Sequence, residues 1–80
     1  MNTTNPPPMD GGSHVCNAQP GQVLIGQQAT ADNGARALAL TNSATLRWGP
    51  PGAVFTMDFR QDRVNVMYDE GMAITEIRCG

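Results

Sequence analysis

At 80 residues, with a formal net charge of −2, five arginines and no lysine, the chain makes one small, mildly acidic domain without the basic patch that nucleic-acid binding requires. Its apolar runs fall far short of the roughly twenty residues of a membrane span, and no basic start followed by an apolar segment marks an export signal. So short a chain buries a small share of its surface, and its fold needs an additional tie.

From Met1 to Ser13 the residues are mainly Asn, Thr, Pro and Gly, with three consecutive prolines, and they offer little to bury. Residues 1–13 read as a disordered leader or tether and 14–80 as the folded domain. Cys16 and Cys79 stand near the two ends of that domain. A bond between them would enclose almost all of it and stabilise it by roughly 4 kcal/mol in the chain-closure treatment. It would also place the protein in the periplasm or outside the cell, with any export signal already removed. The alternative is two reduced, buried thiols in a cytosolic protein.

Pro20-Gly21 marks a turn before Val23-Leu24-Ile25, a predicted core anchor that Gly26 ends. Thr30 is suited to cap a helix carrying Asp32 in its first turn. That helix is expected to reach about Leu40, to pack through Ala31, Ala35, Leu38 and Ala39, and to stop at Thr41-Asn42-Ser43. Gly34 weakens it by about 1 kcal/mol relative to alanine, so it must lean on tertiary packing. Ala44 to Trp48 alternates as a strand, with Leu46 and Trp48 on one face and Thr45 and Arg47 on the other.

Gly49-Pro50-Pro51-Gly52 closes that strand. The run Ala53-Val54-Phe55-Thr56-Met57-Asp58-Phe59-Arg60 has strand-like composition but follows these breakers and leads into Gln61-Asp62-Arg63, so an exposed, extended loop is expected. Val64 to Tyr68 and Ala73 to Cys79 then read as strands around a turn at Asp69-Glu70-Gly71. The predicted class is α+β, one helix on a small mixed sheet.

Catalysis needs a nucleophile with a base, a metal with ligands, or paired carboxylates, and the sequence is poor in all three. His14 is the only imidazole and precedes the fold; Asp69 and Glu70 are neighbours in a turn, where a solvated pair outweighs a catalytic dyad. No phosphate-cradling glycine pattern occurs. No enzymatic activity, cofactor or metal is expected.

The segment from Gly52 to Val64, together with Ile77-Arg78-Cys79-Gly80, resembles the potato inhibitor I type of serine protease inhibitor, and more specifically its bacterial and fungal branch, which includes fungal elastase inhibitors. Cys16, Ala18, Leu24-Ile25-Gly26-Gln27 and Arg78-Cys79-Gly80 match elements that recur in that branch, in order. The resemblance covers about Cys16 to Gly80.

It implies a reversible, tight-binding inhibitor of subtilisin-, chymotrypsin- or elastase-like enzymes, secreted or periplasmic and monomeric. The protease-binding loop would be Ala53, Val54, Phe55, Thr56, Met57, Asp58, Phe59 and Arg60, with Met57–Asp58 as the reactive bond and Met57 filling the protease's main pocket. In the family, arginines behind the loop brace both sides of that bond. Arg63 matches one and can meet Asp58, with Thr56 the expected partner on the other side; Asn65 stands where plant relatives commonly have a second arginine, and its amide is expected to support the loop as an uncharged donor.

Simpler roles compete with these. Met57 suits a core, Arg63 suits a surface ion pair with Asp62 or Asp58 worth under about 1 kcal/mol, Trp48 suits the core, and Phe55 and Phe59 suit either sheet packing or protease contact. The alternative function is a cell-envelope structural or adaptor module that keeps the fold without inhibitory activity.

Overall fold

The computed structural model describes residues 14–80; the predicted leader, 1–13, lies outside the described residues. In chain order come a 3-10 helix (Gln19–Leu24), helix α1 (Ala31–Thr41) and strands β1 (Thr45–Gly49), β2 (Arg63–Tyr68) and β3 (Ile74–Cys79). The sheet runs β1-β2-β3, with β1 parallel and β3 antiparallel to β2. This is the mixed α+β arrangement expected.

Helix α1 begins where its cap predicts. The Thr30 hydroxyl accepts a hydrogen bond from the Asn33 N–H at 3.2 Å, and Asp32 faces the positive end of the helix dipole. It ends at Asn42, in the left-handed region with φ 57°, where the N–H groups of Asn42 and Ser43 donate to the carbonyls of Ala39 and Leu38.

The packing face differs from the one expected. Gly34, Ala37 and Thr41 are buried, Leu38 is half-buried, and Ala31, Ala35 and Ala39 are exposed. The helix approaches the sheet so closely that its smallest residues must face it. A Cβ on Gly34 would lie 2.8 Å from Cζ2 of Trp48. Gly34→Ala is therefore expected to lower the melting temperature, because displacing the packed indole costs about 1–3 kcal/mol against about 1 kcal/mol of helix propensity gained. Thermal unfolding by circular dichroism checks this.

The core consists of Leu24, Ala37, Val64, Val66, Ile74 and Ile77, with Leu38, Leu46 and Trp48 packed at its margin. Trp48 meets Tyr68 edge to face at 5.8 Å. Of the expected anchor Val23-Leu24-Ile25, only Leu24 is buried: the chain coils as a 3-10 helix through Leu24 and turns extended at Ile25, which leaves Val23 and Ile25 exposed. In the β2–β3 turn, the Asp69 carboxylate accepts from the N–H groups of Gly71 and Ala73, which gives this acidic residue a structural task.

Cys16 and Cys79 form a disulfide with Cα atoms 5.7 Å apart and a sequence separation of 63. The Cys16 N–H donates to the Gln61 carbonyl at 2.7 Å and the Asn17 N–H to that of Thr41 at 2.9 Å, so the start of the domain is stitched to its far side.

Arg63, Val64, Asn65 and Val66 are all buried although side chains alternate between the two sheet faces and only one face meets α1. The connection 50–62 arches over the second face and meets it through Arg63 and Arg47. Parallel strands cannot be joined by a tight hairpin, so the chain must return the length of the sheet between β1 and β2. Pro50, Pro51 and Gly52 keep that return from being helical.

Candidate functional site

On the face turned away from α1, neighbouring strands align Arg47 of β1, Asn65 of β2 and Arg78 of β3. Arg63 precedes them at the start of β2. Its guanidinium donates from Nη2 to the Asp58 carbonyl at 2.6 Å, and from Nε and Nη2 to the Gly80 oxygen at 3.0 and 2.6 Å. Arg63 thus ties the loop to the end of β3. The Gly80 N–H answers by donating to the Arg63 carbonyl at 3.0 Å, and the Arg60 N–H donates to the Gly80 oxygen at 3.4 Å. Cys79 lies beside this junction and Cys16 binds Gln61, so the disulfide fixes the loop's exit.

The loop turns its residues in different directions. Met57 is 98 % exposed and Val54 93 % exposed; Phe59 is largely exposed, with one edge against Gly80, and Ala53 and Arg60 are exposed as well. Phe55 is half-buried. The Thr56 hydroxyl donates to the Asp58 carboxylate, so the two neighbours of Met57 are bonded to each other while Met57 itself stands out. The Asp58 carboxylate also lies between two guanidiniums, with Oδ2 3.6 Å from Nη1 of Arg63 and Oδ1 3.6 Å from Nη1 of Arg47. Arg60 is paired instead with Asp62 at 3.1 Å.

These contacts set the acidity of Asp58. The Thr56 hydroxyl and then its own backbone N–H hold its carboxyl below the ordinary value of 3.8, with Arg63 and Arg47 adding to the effect. A carboxyl depressed in the folded state supports the fold above its unfolded value, and that support is lost as pH falls through the folded value. Loop bracing is accordingly expected to weaken only below the usual aspartate range. Following the Asp58 carboxyl carbon by NMR, Thr56→Val should raise the titration midpoint back toward 3.8.

Two expected partners differ from what is found. Thr56 was expected to meet an arginine, and its hydroxyl is instead used by Asp58, the nearer charged acceptor. Asn65 was expected to offer its amide to the loop. It is 2 % exposed, and its Oδ1 accepts from Nε of Arg47 at 2.9 Å.

Arg47 is the residue that sequence reasoning missed. Besides Asn65 and Asp58 it touches Phe55, with the guanidinium carbon 4.0 Å from the ring centroid. Alternation placed it opposite Leu46 and Trp48, but its alignment with Asn65 depends on the parallel register, which no local pattern encodes. Gly49 makes room for this arrangement: a Cβ there would lie 2.9 Å from Cζ of Phe55 and collide with the Met67 sulfur.

Between loop and sheet an open cleft of about 390 Å³ is lined by Arg47, Phe55, Asn65, Met67, Arg78 and Gly80, among others. The loop therefore arches over the face and does not lie packed on it. Its shape rests on a few polar struts, where one lost contact has a large local effect.

Residues 16–80 match the peptidase inhibitor I78 family. The chain belongs to that family. The match begins at the first cysteine of the disulfide and ends at the residue gripped by Arg63. Among solved structures, the I78 chain is similar to the elastase inhibitor AFUEI in its crystal form II, with 30 % identity over 79 % of this chain and 88 % of that one and a TM-score of 0.61. No curated protein matches. A peptidase inhibitor family accounts for a chain that binds proteases and is itself no enzyme.

Proposed function

We propose that this I78 chain inhibits secreted serine proteases of subtilisin-, chymotrypsin- or elastase-like specificity by inserting the segment 53–60 into their clefts, with Met57–Asp58 as the reactive bond. The observation that carries the proposal is the contrast at Met57. Its side chain is 98 % exposed, while Thr56 and Asp58 on either side are bonded together and the Asp58 carbonyl is held by Arg63. An unbranched thioether suits an apolar pocket and not one with a buried acid. The similarity to an elastase inhibitor and the resemblance of the loop to the potato inhibitor I type favour the same role.

A flexible peptide loses ordering entropy on binding and separates after cleavage; a loop already in the bound shape avoids both. Its backbone adds to the protease as an extra strand, and that contribution depends little on side chains. In the acyl step the serine oxygen bonds to the Met57 carbonyl carbon, its proton passes through the histidine, and the Asp58 amine departs carrying a proton. Because Arg63 holds the Asp58 carbonyl, that amine stays in place to re-form the bond.

Arg63 and, through Arg47, Asn65 are assigned to loop support, and 14–80 to the inhibitory domain. The disulfide favours action outside the cytosol, in the periplasm or beyond the cell. Titration against subtilisin, chymotrypsin and trypsin tests the proposal. Stoichiometric inhibition of the first two and none of trypsin is expected; no inhibition of the first two at micromolar concentration would overturn it.

A further inference from the structure

We propose that Arg47 is a second strut of the reactive loop, placed on β1, that holds the two sides of the Met57–Asp58 bond together after the protease has cut it. The inference rests on that bond being the reactive one. Arg63 touches only the departing side, through Asp58 and Gly80. Arg47 touches both: its guanidinium lies 4.0 Å from the Phe55 ring centroid on the acyl side, and its Nη1 lies 3.6 Å from Asp58 Oδ1 on the amine side. Arg47 is therefore a positioning residue. It meets neither the scissile bond nor the protease's reacting atoms.

Its aim is fixed from behind. Asn65 is buried, sits beside Arg47 in the parallel register, and presents Oδ1 to Nε of Arg47 at 2.9 Å. An arginine at 65 would place a third guanidinium between those of Arg47 and Arg78, its register neighbours on the two flanking strands. Like charges that close repel, whereas an amide oxygen accepts and orients. The position where plant relatives of the resembled type carry a second arginine thus serves as the rest for an arginine contributed by the adjacent strand.

The consequence is chemical. Once the serine has taken the Met57 acyl group, the freed Asp58 amine can attack the ester carbonyl, re-form the peptide and return the proton to the serine oxygen. That reversal depends on residues 55 and 58 staying at their original separation. Arg47 spans both, so removing it loosens the nicked chain more than the intact one, where the peptide bond itself supplies the link.

The test is the equilibrium between intact and nicked chain reached with catalytic subtilisin, read by mass spectrometry. Arg47→Met, which keeps an apolar stem over Phe55, should shift the ratio toward the nicked form by about tenfold, the combined size of a partly exposed ion pair and a cation–π contact. Arg47→Lys should recover part of the shift. A residue that merely supports the fold would lower the melting temperatures of intact and nicked chains alike and leave their ratio unmoved. Should Arg47→Met fail to fold, Asn65→Ala, which removes only the rest for Nε, should shift the ratio in the same direction by a smaller factor. A ratio unchanged in the folded variants would overturn the role of Arg47 while leaving inhibition standing. Wild-type chain that does not inhibit, or is cut elsewhere, would overturn both.

Discussion

Met57→Arg is expected to transfer inhibition from subtilisin- and chymotrypsin-like enzymes to trypsin-like ones without changing the stability of the inhibitor. The side chain is 98 % exposed, so its exchange for another flexible chain should alter folding by no more than about 0.5 kcal/mol. All of the effect then falls on the complex. In a pocket with a buried carboxylate, the new guanidinium forms a desolvated charge pair worth about 2–5 kcal/mol, which strengthens trypsin binding by roughly two to four orders of magnitude. In an apolar pocket the same group loses its water without a partner, and affinity falls steeply. Inhibition constants for the two proteins against the same three proteases measure the transfer, and an unchanged profile would remove Met57 from the pocket.

Arg63→Ala acts on the other half of the account, the persistence of the loop once it is bound. Truncation removes the charged donors to the Asp58 carbonyl and the Gly80 oxygen together, and a hydrogen bond to a charged group is worth about 1.5–3 kcal/mol. The loop is then free to separate from the end of β3. The first encounter with a protease should change little, because the sequence offered to the cleft is the same. Cleavage at Met57–Asp58 should rise by roughly 10- to 100-fold, the equivalent of one such loss concentrated in the loop. Arg63→Lys should fall between, since an ammonium keeps the charge but cannot grip two oxygens as a planar fork does. The time course of cleavage with equimolar protease distinguishes the three proteins.

Much of this arrangement was legible in the residues because it depends on local chemistry. Thr30 and Asp32 marked the start of α1, and Asn42 its end; Gly49 to Gly52 marked the point where β1 must stop and an open connection begin. The alternation of Leu46 and Trp48 against Arg47 was also visible. What escaped depended on distance in sequence. The face of α1 was misjudged because an apolar count favours Ala31, Ala35 and Leu38, whereas a close approach to Trp48 selects Gly34, Ala37 and the hydroxyl of Thr41, which is satisfied by the Ala37 carbonyl at 2.6 Å.

The strut Arg47 escaped for the same reason. Its neighbours Asn65, Phe55 and Asp58 come together only when β1 and β2 pair in parallel across the connection between them. Val23 and Ile25 were expected inside because their composition is apolar, yet the 3-10 helix ends at Leu24 and sends only that side chain to the core, with Val23 and the extended Ile25 turned outward.

The loop is offered as a substrate and retained as an inhibitor because side chains behind it keep both sides of one bond in place. The direct measurement is to hold the protein with equimolar subtilisin at neutral pH for several hours, follow residual activity, and map any cut by mass spectrometry before and after reduction of the disulfide. Activity should remain blocked, with the chain mostly intact and any nicked form heavier by one water and cut between Met57 and Asp58. Recovery of activity alongside cuts scattered through 53–60 would contradict the account.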